Sequence, residues 1–457
     1  MLIRSVNPAT EEVNKEFETI STSEVKKSAK SARVAFAAWK ATDHAERREL
    51  LRKLSSVLRQ KSKEYGRIIT IEMGKPIKQA VLEVEKCALA ADVFAENAEK
   101  WLEDETVHTE YRKSLVSHEP LGVILGIMPW NFPFWQAMRF AIPAVSAGNT
   151  TILRHSSVCP MSSECIEESF RLSGFPEGVF TNIIAGHDSV KSLISGNGLV
   201  DGVSLTGSVE AGKRIGAVAG RNIKKVVLEL GGSDPFIVLD DADMNKACVG
   251  ACDGRLVNSG QSCICSKRFI VVESMVEEFV EGLASLMKSQ RLGDPLDDGV
   301  TVGPLASKQQ LELVESQVKG SVEMGAKIVC GGKRTAFNNR GFFFEPTVMR
   351  GVDPRMPAFR EEVFGPVAPV AVAKNEKDAV RLANKSNFGL GASVWTSDAE
   401  RGERVARLLN TGMVFINHIV VSDPRMPFGG VKNSGVGREL SRFGILEFTN
   451  TKSIVVQ

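Results

Sequence analysis

A cysteine, a glutamate and an asparagine in this chain could together run covalent chemistry. Cys263 ends the run Asn258-Ser259-Gly260-Gln261-Ser262-Cys263, after a glycine-containing loop and ahead of a strand-like stretch, 269–272. A thiol placed there is open to a substrate and can act as a nucleophile. Against this stands the commoner fate of a lone cysteine, which is to be a small buried packing residue. Glu229 ends the apolar run Val226-Val227-Leu228 and faces Gly231-Gly232, a position that suits a general base. A merely solvated strand-end glutamate is the plainer alternative. Asn131 lies in Met128-Pro129-Trp130-Asn131-Phe132-Pro133, just past a strand candidate, where ligand crevices form in parallel sheets. Its amide can donate to a developing oxyanion or simply cap the next helix.

These residues need a frame to hold them. Apolar residues at 50, 51, 54, 57 and 58 form one helical stripe, and residues 43–73 read as a helix, with 79–103 in the same style. From Gly122 the texture changes. Strand-like runs at 123–128, 150–153, 179–184, 203–205 and 226–228 alternate with helical runs at 139–147, 162–172, 188–196 and 209–219. That alternation predicts right-handed βαβ units and a parallel sheet. A second alternating block follows Gly231-Gly232, with strands at 236–239 and 269–272, helices at 275–288 and 308–323, and an end near 413–417. The glycine pair is the expected domain junction.

Composition excludes several classes. The chain of 457 residues carries 57 basic and 55 acidic side chains, a net +2, which gives no reason to expect nucleic acid or an anionic membrane as partner. No apolar run is long enough to span a bilayer, and the start lacks a secretory or transit pattern. The expected location is the cytoplasm. Eight cysteines without a paired CxxC, and six histidines without an HExxH pattern, predict neither a disulfide scaffold nor a metal site.

Six ordered motifs make a likeness plain. They are Pro129-Trp130-Asn131, Thr206-Gly207-Ser208 through Gly212, Leu228-Glu229-Leu230-Gly231-Gly232, Gly260-Gln261-Ser262-Cys263, Glu361-Glu362-Val363-Phe364-Gly365-Pro366 and Pro427-Phe428-Gly429-Gly430. With a 34-residue gap from Glu229 to Cys263, the chain resembles the aldehyde dehydrogenase superfamily over essentially its whole length. The resemblance implies an α/β fold with a Rossmann-like cofactor domain, an α/β catalytic domain and a small β oligomerisation arm. The expected boundaries are 1–230 for the cofactor domain (arm excluded), 231–422 for the catalytic domain, and 104–120 with 439–457 for the arm. It implies that Cys263 attacks the aldehyde, Asn131 and the Cys263 N–H form the oxyanion hole, and Glu229 activates the hydrolytic water.

The same resemblance assigns a cofactor site. Gly207, Ser208 and Gly212 open a helix toward the pyrophosphate, Trp130 sits near the phosphates, Glu362 holds the nicotinamide-ribose hydroxyls and Phe364 packs at that end. Arg154 and Ser157 fall where the adenosine ribose is met. An arginine there suits a 2′-phosphate, and Ser157 stands where a glutamate would repel one. NADP is therefore preferred, with NAD also accommodated. The whole chain resembles the short succinate semialdehyde dehydrogenases best. Trp135 and Arg139 are i, i+4 and share a helix face, so Arg139, with Ser422, is expected to meet a carboxylate at the far end of the substrate. A structural ion pair for Arg139 is the alternative. Another small aldehyde, or an inert scaffold on this fold, stays open, as does the choice between homodimer and homotetramer. Cys265, two residues past the nucleophile, could be a redox partner or a second packed thiol.

Overall fold

In the computed structural model, residues 1–196 and 198–457 are described. Two mainly parallel sheets carry the molecule. The first has six strands in the order Gly435–Val436, Lys225–Glu229, Gly202–Thr206, Val123–Met128, Thr150–His155 and Phe180–Asn182. All neighbours are parallel except the first pair. Its central strands are apolar or β-branched and buried on both faces, as expected where helices cover both sides of a parallel sheet. The covering helices include Pro133–Ser146, Pro160–Leu172, His187–Ser195 and Val209–Arg221.

Some elements differ from expectation. The helix expected at 139–147 starts at Pro133, because proline in a first turn gives up an N–H that would have no partner anyway. The single helix expected over 43–73 is two, His44–Gln60 and Ser62–Met73, joined at Lys61, whose φ/ψ of −97° and 7° turns the chain. A hairpin of Leu2–Val6 with Val13–Glu18 and a helix Thr22–Trp39 precede them.

The second sheet has seven strands, in the order Lys327–Cys330, Thr347–Arg350, Val367–Ala373, Ser266–Val272, Asp234–Val238, Ser393–Trp395 and Phe415–Ile416. A third sheet of three strands pairs Thr449–Val456 with Lys113–Pro120, and that with Glu105–Thr106. Only Thr449–Val456 of the tail joins this arm. Residues 435–436 complete the first sheet, and the Ser441–Glu447 helix lies against the Ile77–Trp101 helix. Of the residues 439–457 expected in an arm, 449–456 pair with 113–120, whereas Glu439, Leu440 and Ser441 are buried. Chain segments leaving the carboxyl ends of the first sheet, at Met128, Thr206 and Glu229, meet the segments that enter the second at Asp234 and Ser266. The candidate site lies there. No helix among the described residues is long and apolar enough to cross a membrane.

Candidate active site

The loop that carries Cys263 is built on strained backbone. Asn258, Ser259 and Gly260 have consecutive positive φ angles of 52°, 55° and 81°, which cost energy at the two non-glycine positions. Neighbours fix the shape. Asn258 Nδ2 donates to Asn131 O at 2.6 Å and Gln261 O at 3.1 Å, and its N–H donates to Gln79 Oε1 at 2.7 Å. Arg255 Nη2 donates to Gly260 O at 2.7 Å and Gly365 O at 2.6 Å. A Cβ at position 260 would collide with the Gly365 carbonyl, so only glycine fits. Lys267 Nζ then donates to the carbonyls of Ser262 and Cys263, each at 2.6 Å.

This clamp holds Cys263 between two cavities. One, of about 260 Å³, is lined by Cys263, Trp135, Arg139, Lys86, Ser422 and Phe428. The other, of about 270 Å³, is lined by Cys263, Trp130, Asn131, Gly207, Ser208, Glu362 and Phe364. A residue lining both can meet a reactant from one side and a cofactor from the other. Asn131 is fixed from both ends: Nδ2 donates to Gln261 O at 3.1 Å, and Oδ1 accepts from Gln136 Nε2 at 3.1 Å. Its amide therefore faces the cysteine loop with a second N–H to offer.

Burial dominates the electrostatics of Cys263 and Glu229. Burial pushes the Cys263 thiol up to about 12, although Arg139 and Lys267 favour the thiolate. Glu229 is likewise pushed well above the usual carboxylate range, by burial first and then by Glu439, with Arg139 opposing. Both Glu229 oxygens lack a hydrogen-bond donor among the described residues. The carboxylate lies against Gly429, where a Cβ would strike it, and it lines neither cavity. Cys263 and Asn131 are brought together; the Glu229 carboxylate is held apart from them.

Arg139 does two things. Its Nε pairs with the buried carboxylate of Glu439, so the structural ion pair exists. Its guanidinium also lies 4.1 Å from the Phe428 ring and lines the first cavity. Trp135 and Ser422 line the same cavity. Cys265 also lines it; its Sγ points to Val257 O at 3.5 Å.

The residues expected to meet a cofactor fall in two places, Trp130, Gly207, Ser208, Glu362 and Phe364 around the second cavity and Arg154 with Ser157 in a separate cleft. Ser208 caps the Val209–Arg221 helix, its side chain accepting from Ala211 N. A Cβ at Gly207 would touch nothing closer than 3.7 Å, whereas one at Gly212 would strike Leu230. The first glycine leaves the helix N-terminus open to an anion; the second allows close helix–strand packing. Trp130 and Phe364 meet edge to face at 5.7 Å. Glu362 Oε1 accepts from Gly232 N at 3.0 Å and lies 3.3 Å from Lys267 Nζ. Arg154 and exposed Ser157 line a cleft beside Ala185, and Arg154 Nε donates to Ala185 O at 3.3 Å.

A model of the aldehyde dehydrogenase family matches residues 1–454. The chain belongs to that family. A Synechocystis protein named as a probable NADP-dependent succinate-semialdehyde dehydrogenase is 44% identical over 454 residues, with 99% of each chain covered. An Escherichia coli succinate semialdehyde dehydrogenase, named for both NAD and NADP, is 42% identical, with 98% of this chain and 97% of that one covered. The crystal structure of a Streptococcus pyogenes succinic semialdehyde dehydrogenase in complex with NADP+ superposes with a TM-score of 0.97 at 37% identity, covering 99% of each chain.

This aldehyde dehydrogenase also depends on residues that its motifs did not reveal. Lys267 and Arg255 hold the Cys263 loop, yet in sequence each is one more basic residue near a strand. Glu439 pairs with Arg139 across 300 residues. Lys86 reaches the first cavity from the Ile77–Trp101 helix, donating to Ser422 Oγ at 2.6 Å. Its place among alternating Lys and Glu residues reads as a solvated face, so no sequence signal marks it.

Proposed function

We propose that this enzyme oxidises succinate semialdehyde to succinate with NADP as its preferred oxidant. The observation that carries the reading is Cys263 lying between a cavity that holds basic and hydroxyl groups and a cavity shaped by cofactor-type contacts. The substrate aldehyde would enter the first cavity with its carboxylate toward Arg139 and Ser422. Cys263 Sγ attacks the carbonyl carbon and its proton leaves to solvent or a base. Asn131 Nδ2 and the Cys263 N–H hold the resulting oxyanion. NADP, held by Gly207, Trp130 and Glu362, would supply the hydride acceptor needed to oxidise the Cys263 thiohemiacetal to the thioester. Glu229 then takes a proton from water, which adds to the thioester carbonyl and releases the acid and the Cys263 thiol. That role requires the Glu229 side chain to swing off Gly429.

Several features support the cofactor reading. Gly207 and the helix it opens suit a pyrophosphate, and Glu362 suits ribose hydroxyls. Trp130 and Phe364 would flank the phosphate and nicotinamide ends. Arg154 suits a 2′-phosphate, with Ser157 offering no opposing charge. The names of the relatives agree with both choices. We infer the same division of labour for the chain: a cofactor part within 1–230, a catalytic part within 231–422, and an arm through which copies associate.

The test follows reduced cofactor by absorbance, with succinate semialdehyde against butanal and NADP against NAD. The expected kcat/KM favours the acid-bearing aldehyde by about tenfold or more, the scale of one good charge contact. Equal or better turnover of butanal would overturn the substrate, and a strong preference for NAD the cofactor.

A further inference from the structure

We propose that Lys86, with Ser422 and Trp135 beside it, is the charge that reads the far carboxylate of the substrate. The inference rests on the acid-bearing aldehyde proposed above and assigns its recognition to a residue of the Ile77–Trp101 helix. Lys86 Nζ donates to Ser422 Oγ at 2.6 Å and lies 4.5 Å from the Trp135 ring centre. All three line the cavity that ends at Cys263. Trp135 is buried, and its Nε1 donor has no acceptor among the described residues. The cavity thus holds an ammonium and a hydroxyl, a donor pair that fits a carboxylate, against the Trp135 ring.

Charge pairing singles out Lys86. Arg139, facing it from the Pro133–Ser146 helix, is paired with Glu439. Glu83, on its own helix, is paired with Lys75. Asp423, beside Ser422, is bound by Arg425 at 2.6 Å. Among the described residues Lys86 has no carboxylate within ion-pair distance, though burial makes an uncompensated charge costly. An incoming carboxylate would supply the missing partner. Arg139 keeps a supporting role, since its charge is already balanced and its Nη2 is engaged by Gln136 at 3.2 Å.

The arrangement carries a pH signature. Burial first, and then the charge on Arg139, push Lys86 down to about 8, with Cys87, Glu83 and Asp423 opposing. The nearby thiols of Cys87 and Cys263 are pushed up by burial and stay uncharged over this range. Loss of the Lys86 proton should therefore weaken the acid-bearing substrate alone.

The experiment measures kcat/KM for succinate semialdehyde and butanal, and takes their ratio so that thiol and base titrations cancel. In wild type the ratio should be level below about pH 7 and fall about tenfold per unit well above pH 8. Lys86→Met should lower the ratio about 30- to 100-fold at neutral pH, while Lys86→Arg should keep most of it and lose the pH dependence. If wild type shows no preference for the acid-bearing aldehyde, the proposed function fails. If wild type prefers it and Lys86→Met prefers it equally, or the wild-type ratio stays flat to about pH 9.5, this inference fails and the substrate reading stands.

Discussion

Cys263, proposed above as the nucleophile, is held by burial toward the neutral thiol. Burial outweighs the two cations near it, so the thiol lies at about 12, far above free cysteine at roughly 8.5. In the cofactor-free enzyme, alkylation of Cys263 by iodoacetamide should be slower than that of free cysteine. It should keep rising about tenfold per pH unit across pH 7 to 10, because the thiolate fraction does so below the pKa. A rate that levels off below about pH 9 would show that Arg139 and Lys267 win over burial. Position 157 gives a second prediction at this scale. Ser157→Glu would put a carboxylate beside the site proposed for the 2′-phosphate, and should weaken NADP about ten- to a hundredfold in Kd while sparing NAD. Fluorescence titration of both cofactors checks it, and an unchanged Kd for NADP would mean that Ser157 does not face the ribose. Cys263 and Asn131 were singled out by the six ordered motifs; taken alone, each had a plainer alternative, a packed thiol and a helix cap. Glu229 was legible as an acid at a strand end, but not the rotation that turns it toward Gly429. Lys86 was illegible for a physical reason: helical spacing tells which residues share a face, not which cavity the fold brings against that face.

At the scale of elements, the Pro133–Ser146 helix positions Asn131, Gln136 and Arg139, and a buried acid fixes its start. Glu83 Oε1 accepts from the N–H of Phe134 at 2.9 Å and of Trp135 at 3.0 Å, so it satisfies two donors of the first turn and complements the helix dipole. Its other oxygen pairs with Lys75, which is itself fully buried and lies 3.6 Å from the Phe132 ring centre. Glu83→Ala would strand the Lys75 ammonium and should cost about 3–5 kcal/mol of unfolding free energy. Adding Lys75→Met to that variant should recover a large part of the loss, because the stranded charge is gone. Denaturant titration of the wild type and the two variants measures it; a double variant no more stable than Glu83→Ala would mean that the capping bonds, not the charge, carry the cost. The parallel sheet around this helix was readable from alternating apolar runs. The break at Lys61 was not, since Gln60, Lys61 and Ser62 include no glycine or proline to announce a turn. The opening hairpin escaped too: Val13–Glu18 is mostly exposed, with only Phe17 buried, so it lacks the apolar alternation that marks a half-buried strand.

The molecule as a whole is closed by its tail, which returns to two distant places. Gly435–Val436 adds an antiparallel edge beside Lys225–Glu229 and brings Glu439 to Arg139. Beyond the Ser441–Glu447 helix, Thr449–Val456 runs along Lys113–Pro120 in eight registered pairs. Among the described residues its other edge has no strand neighbour, and Ile454, Val455 and Val456 are 39%, 53% and 40% exposed. An open edge with an apolar end invites pairing with another chain unless it is already covered. This is the physical support for reading the arm as the contact through which copies associate. Ile454 and Val456 are i, i+2 and share one face of the strand. Replacing both with aspartate should leave the single chain folded, since neither packs in its core, but should put like charges wherever two arms meet. Light scattering after gel filtration is expected to show the mass dropping to that of a smaller assembly. Circular dichroism should stay unchanged. An undiminished mass would remove the arm from the interface, and would require another surface to hold the copies together.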